Sequence, residues 1–396
     1  MITVLSVVHG NTFGGPHNRN VKVSRRLAED DRIRTLVLLP QEAGNAATRM
    51  RQQGVEVVEL PIPRLRARLN PSYHWHFFRG FQQAVQRIEQ ILVDEQVDLV
   101  QINGISNPHA AVAARRQNVP LVWQILDTFP PHLFLRLMMP YVRRTAGAIM
   151  STGQRVAEAH PGATTAADRL IYFYPPVDTC RFRWDSEQAA AARAELGLSS
   201  DAMVIGNVSN LNPQRVHRTF IRAAASLKKN RPGSTFVILG KRYEAHRDYI
   251  ESMLSEARTL GLDLDTDLII RDPGDRVAEL EMAFDVFAMT SEPRSEGIPT
   301  VIEEAMSLGL PVVSTDVGSI REIVREDETG RLTPAGDSEA FCKALTAVLD
   351  DPVTARRMGA AGRAMAARQF TVESCAQRHY EAYRLALGGQ LSDAPD

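Results

Sequence analysis

"SEGIPTVIEEAMSLGLPVVSTDVG", residues 295–318, sets two acids, Glu296 and Glu304, on either side of a Gly-Ile-Pro turn. The rest of the stretch reads as a buried helix followed by a strand. Pro299 suits the first helical position, where its missing N–H costs nothing and its fixed φ is already helical. The amides of that first turn have no partner inside the helix and open toward the loop, which is where an anion binds. Gly297, Ile298, Pro299 and Thr300 make up this turn. Glu304 follows Pro299 by five residues, about 7–8 Å along a helix axis. Two hydrogen-bond acceptors therefore flank one anion point, a pattern that fits hydroxyls on both sides of a phosphate group. A nucleotide sugar has that shape.

Working outward, the chain has 396 residues, more than the roughly 250–300 at which single cores split, so two domains are expected. A net charge of -1 gives no global pull toward nucleic acid or an anionic surface. Cys180, Cys342 and Cys375 stand far apart and form no CxxC pair, which points to a reducing, cytoplasmic compartment. The opening "MITVLSVVHGNTFGG" lacks the basic flank and cleavage site of a signal peptide and reads as a first strand.

Short apolar, β-branched runs alternate with helix-length segments throughout. "ITVLSVV", "RTLVLLP", "GVEVVEL", "VDLVQIN", "PLVWQIL" and "AGAIMST" occupy the first half; "AMVIGNV", "STFVILG", "DLIIRD", "DVFAMT" and "LPVVSTD" the second. Unbroken apolarity in such runs fits parallel strands buried on both faces. The fold class is therefore α/β, with two doubly wound domains. "YPPVDTCRF" (174–182) reads as the linker between a domain 1–175 and a domain 176–370, with a final amphipathic helix, 371–388, returning to the first. Open sheets of this kind bind ligands beyond the carboxyl ends of their strands. "FAMTSEPRSEGIP" and "VVHGNTFGGPHNR" both fall at such ends.

The E-x7-E spacing of Glu296 and Glu304, the EAM run at 304–306 and the following V-G-x-x-x-E together resemble the signature of group 1 (family four) retaining glycosyltransferases. That resemblance implies the GT-B fold, two Rossmann-like domains facing a central cleft. It assigns Glu296 to hydroxyls of a donor sugar and Glu304 to a ribose, with Glu303 left structural. In "VSNLNPQRVH" the family's G-R-L-x-x-x-K-G places Asn210 at its arginine, Arg215 at its lysine and Val216 at its glycine. Arg215 is thus the expected diphosphate clamp. Gly14 and Gly15 would let backbone approach the donor phosphates and the acceptor. Arg19 is expected as an acceptor-side contact. Leu126 stands where many members carry a histidine, and Asp127 beside it is the residue expected to take a polar role at the reacting centre. His109 reads as a cap at its helix start.

The expected activity is transfer of a sugar, with retention, from a nucleotide diphosphate sugar to a hydroxyl acceptor. Glu296, Arg215 and Asp127 carry it; neither metal nor other cofactor is expected. The alternatives are a non-catalytic nucleotide-sugar-binding protein or another GT-B enzyme, a phosphorylase or sugar-nucleotide epimerase. Acids in "DLDTD" (263–267) fail the spacing of a calcium loop and read as a solvated turn. Basic and aromatic residues interleave in "RLRARLNPSYHWHFFRGF" (64–81), which suits a phosphate-bearing acceptor or an anionic membrane surface; of the two, this reading favours a soluble acceptor. No nucleic-acid partner is expected.

Overall fold

The computed structural model describes residues 1–29, 32–63, 71–293, 296–389 and 391, with side chains from 71 to 79 excepted. The basic and aromatic run at 64–81 therefore lies largely outside the described residues. The chain divides into two compact units, Met1–Pro176 joined by the helix Val372–Ala386, and Val177–Thr371.

The first unit holds strands β1 (Ile2–Val7), β2 (Ile33–Pro40), β3 (Glu56–Leu60), β4 (Leu99–Asn103), β5 (Leu121–Ile125), β6 (Ala148–Ser151) and β7 (Leu170–Tyr172), in the order β3-β2-β1-β4-β5-β6-β7. Every pairing is parallel. Successive residues of one strand feed two different cores, because side chains alternate across a sheet. Leu5, Val100, Trp123 and Ile149 pack with Val85, Ile88 and Leu135. Val4, Leu99, Val122 and Met150 pack on the other face with Val23, Tyr380 and Tyr383. The strands are mostly apolar for that reason, with a few buried polar side chains such as Asn103 and Gln124 among them.

The second unit holds β8 (Met203–Val208), β9 (Ser234–Leu239), β10 (Leu268–Arg271), β11 (Val286–Met289), β12 (Val312–Thr315) and β13 (Gly330–Thr333), again all parallel, in the order β10-β9-β8-β11-β12-β13. In both sheets the strand order reverses once, between β1 and β4 and between β8 and β11. At such a reversal the flanking connections leave toward opposite faces, and a crevice opens at the carboxyl end. The loops after β1, β8 and β11 thus stand at the carboxyl-end reversal of each sheet.

Candidate active site

At the reversal of the second sheet the structure brings together two residues 81 apart in sequence. The Arg215 guanidinium donates to the carboxylate of Glu296 in a tight ion pair. Glu296 is buried and Arg215 half-buried. The end of β11 fastens both partners. Thr290, itself buried, sets its hydroxyl 2.8 Å from the Arg215 carbonyl oxygen and 3.2 Å from that of Val216. Ser291 donates through Oγ to Glu296 Oε1 at 3.1 Å, and its own N–H donates to Thr315 Oγ1 at 3.0 Å. The Glu292 amide donates to the Gln214 carbonyl at 3.0 Å. Thr290 and Ser291 escape a sequence reading because nothing in their spacing marks them. Their role exists only once β8 and β11 lie side by side.

The loop that presents Arg215 has an unusual backbone. Val216, at the position where the resemblance expects glycine, sits in the left-handed region at φ 42, ψ 46 and caps the helix His217–Asn230. A β-branched side chain there costs on the order of 1–2 kcal/mol. The Thr290 clamp and the next residue hold it in place. His217 is buried, with Nε2 2.9 Å from Ser209 Oγ and Nδ1 3.2 Å from the Tyr249 hydroxyl. Burial, reinforced by the charge of Arg215, lowers the His217 pKa to about 3, so the ring is neutral.

The turn before the second acid is closed from behind. Pro299 is the cap residue and not the first helical one: its ψ of 121 is extended, and the helix runs Thr300–Leu308. The Ser319 N–H donates to the Gly297 carbonyl at 2.9 Å. Gly318 has φ +54, and a Cβ there would stand 2.4 Å from the Glu296 carbonyl oxygen. Glycine is therefore required, which explains why the V-G follows the two acids. On the helix, Glu303 is fully buried and Glu304 half-buried, as a turn of about 100° per residue separates neighbours. Glu281 is also fully buried; burial, then the charge of Glu304, raises its pKa well above the ordinary carboxylate range.

Asn210 accepts from the Lys241 backbone N–H at 3.2 Å, so its amide ties two loops together. Because β8 and β9 are neighbours, the loop after β9 delivers Lys241 and Arg242, both exposed, beside the loop of Arg215. These cations lie ten and eleven residues after Arg231 and give no hint of the site in the sequence. Among the described residues no cluster of three His, Cys, Asp or Glu could hold a metal ion. Asp267 of the "DLDTD" turn is paired instead with Lys228 at 2.7 Å.

In the first unit, Gly14 precedes the helix Gly15–Ala28 in extended conformation. A Cβ at Gly15 would meet nothing within 4 Å, and one at Gly14 only a carbonyl oxygen at 3.9 Å. Neither backbone strain nor internal packing demands these glycines. Asp127 lies just past β5, where its Oδ1 accepts from the Phe129 N–H at 3.0 Å and closes a short turn. Leu126 packs against the core. Two expectations need correction. Arg19 is buried and does not face an acceptor: it donates to Asn103 Oδ1 at 2.7 Å and Gln124 Oε1 at 2.6 Å, on the helix face turned to the sheet. His109 caps nothing: it is fully buried edge-on to Phe81, neither ring nitrogen has a hydrogen-bond partner among the described residues, and burial lowers its pKa to about 4.

The "Glycosyl transferases group 1" profile matches residues 188–365, and the "Glycosyl transferase 4-like domain" profile matches residues 14–175. The chain belongs to the group 1 glycosyltransferases. Its fold is of the GT-B type: the Anabaena protein HepE, solved in complex with UDP, aligns with a TM-score of 0.81 at 22% identity, covering 97% of this chain and 99% of that one. A D-inositol 3-phosphate glycosyltransferase of Nocardia farcinica is 31% identical over 222 residues, 56% of this chain and 48% of the relative. A GDP-mannose-dependent phosphatidylinositol monomannoside mannosyltransferase of Mycolicibacterium smegmatis is 32% identical over 217 residues, 54% of each. The chain thus spans about half the length of the curated relatives it matches.

Proposed function

We propose that this group 1 glycosyltransferase moves a sugar, with retention, from a nucleotide diphosphate sugar to a hydroxyl acceptor. The observation that carries the reading is the meeting of Arg215 and Glu296 at the reversal of the second sheet, beside the helix start at Thr300 with Glu304 one turn in. Arg215 and the first-turn amides take the diphosphate, Glu296 the hydroxyls of the transferred sugar, and Glu304 the ribose. Asn210, Gly297, Ile298 and Pro299 shape the backbone around them. Gly14, Gly15 and Asp127, at strand ends of the first unit, serve the acceptor side. Open space above both glycines supports that assignment.

The bond from the sugar's anomeric carbon to the diphosphate oxygen breaks, and the acceptor oxygen bonds to that carbon on the same face. The acceptor's proton passes to the departing diphosphate oxygen. No protein nucleophile is required; the protein's share is to hold charge as it develops on the leaving group, through Arg215 and the helix amides. On this reading those groups do the work that a metal ion does elsewhere. The enzyme acts in the cytoplasm on a soluble acceptor.

The test is to incubate the protein with a panel of UDP and GDP sugars, with and without inositol phosphate as a trial hydroxyl acceptor, and follow free diphosphate. Release that rises with acceptor, giving an α-product from an α-donor by NMR, supports the reading. Tight binding with no release under any acceptor favours a non-catalytic nucleotide-sugar-binding protein.

A further inference from the structure

The helix His132–Thr145 in the first unit, HLFLRLMMPYVRRT, has two apolar faces where a surface helix ordinarily has one. Leu135, Met139 and Val142 are buried in the core. At about 100° per residue, Leu133 and Leu137 fall on the opposite side. Both are 71% exposed, and Phe129, four residues before Leu133, is 62% exposed. Pro140, also exposed, continues the same face. Other exposed large hydrophobics, such as Val93, Leu260 and Val353, stand far apart in sequence, as is ordinary for a soluble surface. An exposed leucine pair at i and i+4 on one helix face, with an exposed phenylalanine in the loop just before it, is not ordinary.

The charge on this face selects its occupant. Arg136 and Arg144 are exposed, and the helix sequence contains no Asp or Glu. Arg144 falls angularly between Leu133 and Leu137, and Arg136 lies to one side. An ordinary protein partner would have to bring both a hydrophobic groove and acids into register with this pattern. An anionic bilayer supplies both at once: leucines and a phenylalanine enter the headgroup boundary, while arginine stems lie along it and present their charge to lipid phosphates. We infer that the helix His132–Thr145 docks the first unit onto an anionic lipid surface through Phe129, Leu133 and Leu137, flanked by Arg136 and Arg144. These residues are separate from the 64–81 run, and none of them belongs to the proposed donor or acceptor sites.

The full chain is mixed with vesicles of phosphatidylcholine alone or with phosphatidylglycerol, then sedimented. The wild type is expected to sediment with the mixed vesicles at low salt, to stay free of phosphatidylcholine alone, and to be released at high salt. The L133Q/L137Q variant, altered only at exposed positions, should melt like the wild type yet lose vesicle binding at least ~tenfold. The R136Q/R144Q variant should lose roughly tenfold. A wild type that never sediments overturns the inference. So does an L133Q/L137Q variant that binds as the wild type does, since binding would then come from another segment. If the wild type ignores lipid but forms a dimer that L133Q/L137Q disperses, the face belongs to a second copy and the lipid assignment fails.

Discussion

Replacing Glu296 with glutamine separates two tasks that the ion pair joins. In the ligand-free protein the charge of Arg215 is cancelled by Glu296, so an arriving diphosphate must compete with an internal carboxylate for its cation. Glutamine keeps the hydrogen-bonding shape, including an acceptor for Ser291, and removes only the charge. Two unit charges about 4 Å apart interact by about 1 kcal/mol in water and about 4 kcal/mol at an effective dielectric of 20. The Arg215 side chain is 28% exposed and that of Glu296 is 9% exposed, so solvent screening places the pair low in that range. A gain of about 1–2 kcal/mol, roughly five- to thirtyfold in Kd, is expected for bare UDP or GDP. Turnover of the nucleotide sugar should fall, because the acid proposed to hold the sugar's hydroxyls has become neutral. Calorimetry at low and high salt reads the first effect, and the gain should shrink as salt rises. Glu296→Gln binding bare nucleotide no more tightly than wild type at low salt would show that Arg215 is not the diphosphate's cation.

Four further outcomes follow from the same contacts. Thr290→Val removes one hydroxyl from two carbonyls and should cost the second unit about 1–2 kcal/mol in urea unfolding while raising donor KM; Thr290→Ser should restore both. Lys241→Gln should weaken diphosphate binding roughly threefold and flatten its salt dependence, a calorimetric result that Arg25→Gln, at the far end of its own helix, should not reproduce. Acid should destabilise the chain: His109 (about 4), His217 (about 3) and His379 (about 3) all titrate below the usual 6.5 when folded, so the unfolded state takes protons first and stability is lost as pH falls below 6.5. At pH 5.5 each costs roughly 1–2 kcal/mol, two of them in the first unit and one in the second, so calorimetric melting of the first unit should shift further. Ending the chain after Thr371 removes buried Tyr380, Tyr383 and Leu387, and the truncated protein should lose its cooperative first-unit melt.

How much was legible in the sequence differs between elements for physical reasons. Strands buried on both faces are apolar at most positions, and β1, β4, β5, β8, β9 and β12 announce themselves by composition. The edge strands β7 (LIY) and β13 (GRLT) are too short to show a pattern, and pairing on one side only relaxes the demand on their side chains. Glu296 and Arg215 were readable from motif spacing and the family resemblance, which do not depend on which strands are neighbours. Thr290, Ser291 and Lys241 were not, since their significance depends on which strands are neighbours. Gly318 was noticed in its motif but not understood; the reason lies in a carbonyl it nearly touches.

Arg19 shows most clearly why burial reverses a sequence reading. A lone arginine near a helix start looks like a surface cation, yet this one is enclosed, with no carboxylate in ion-pair reach among the described residues. Amide oxygens of Asn103 and Gln124 hold it instead, and its guanidinium lies 5.1 Å from the centre of the Phe173 ring. Burial lowers its pKa to about 10, still far above neutrality, so the charge persists. Each supporting amide is itself anchored. Asn103 donates to Ser6 Oγ and the Val7 carbonyl, and Gln124 Nε2 sits 2.9 Å from His379 Nε2. Burial and the charge of Arg19 together keep His379 neutral, so its ring nitrogen is available to Gln124. Tyr383 donates to Gln101 at 2.7 Å from the same C-terminal helix. A buried cation tolerates this setting only while every acceptor stays in place. The helix Val372–Ala386 therefore does more than cover apolar surface. Through His379 and Gln124 it fixes Arg19, and Arg19 fixes the helix whose first turn carries Gly14 and Gly15 to the reversal of the first sheet.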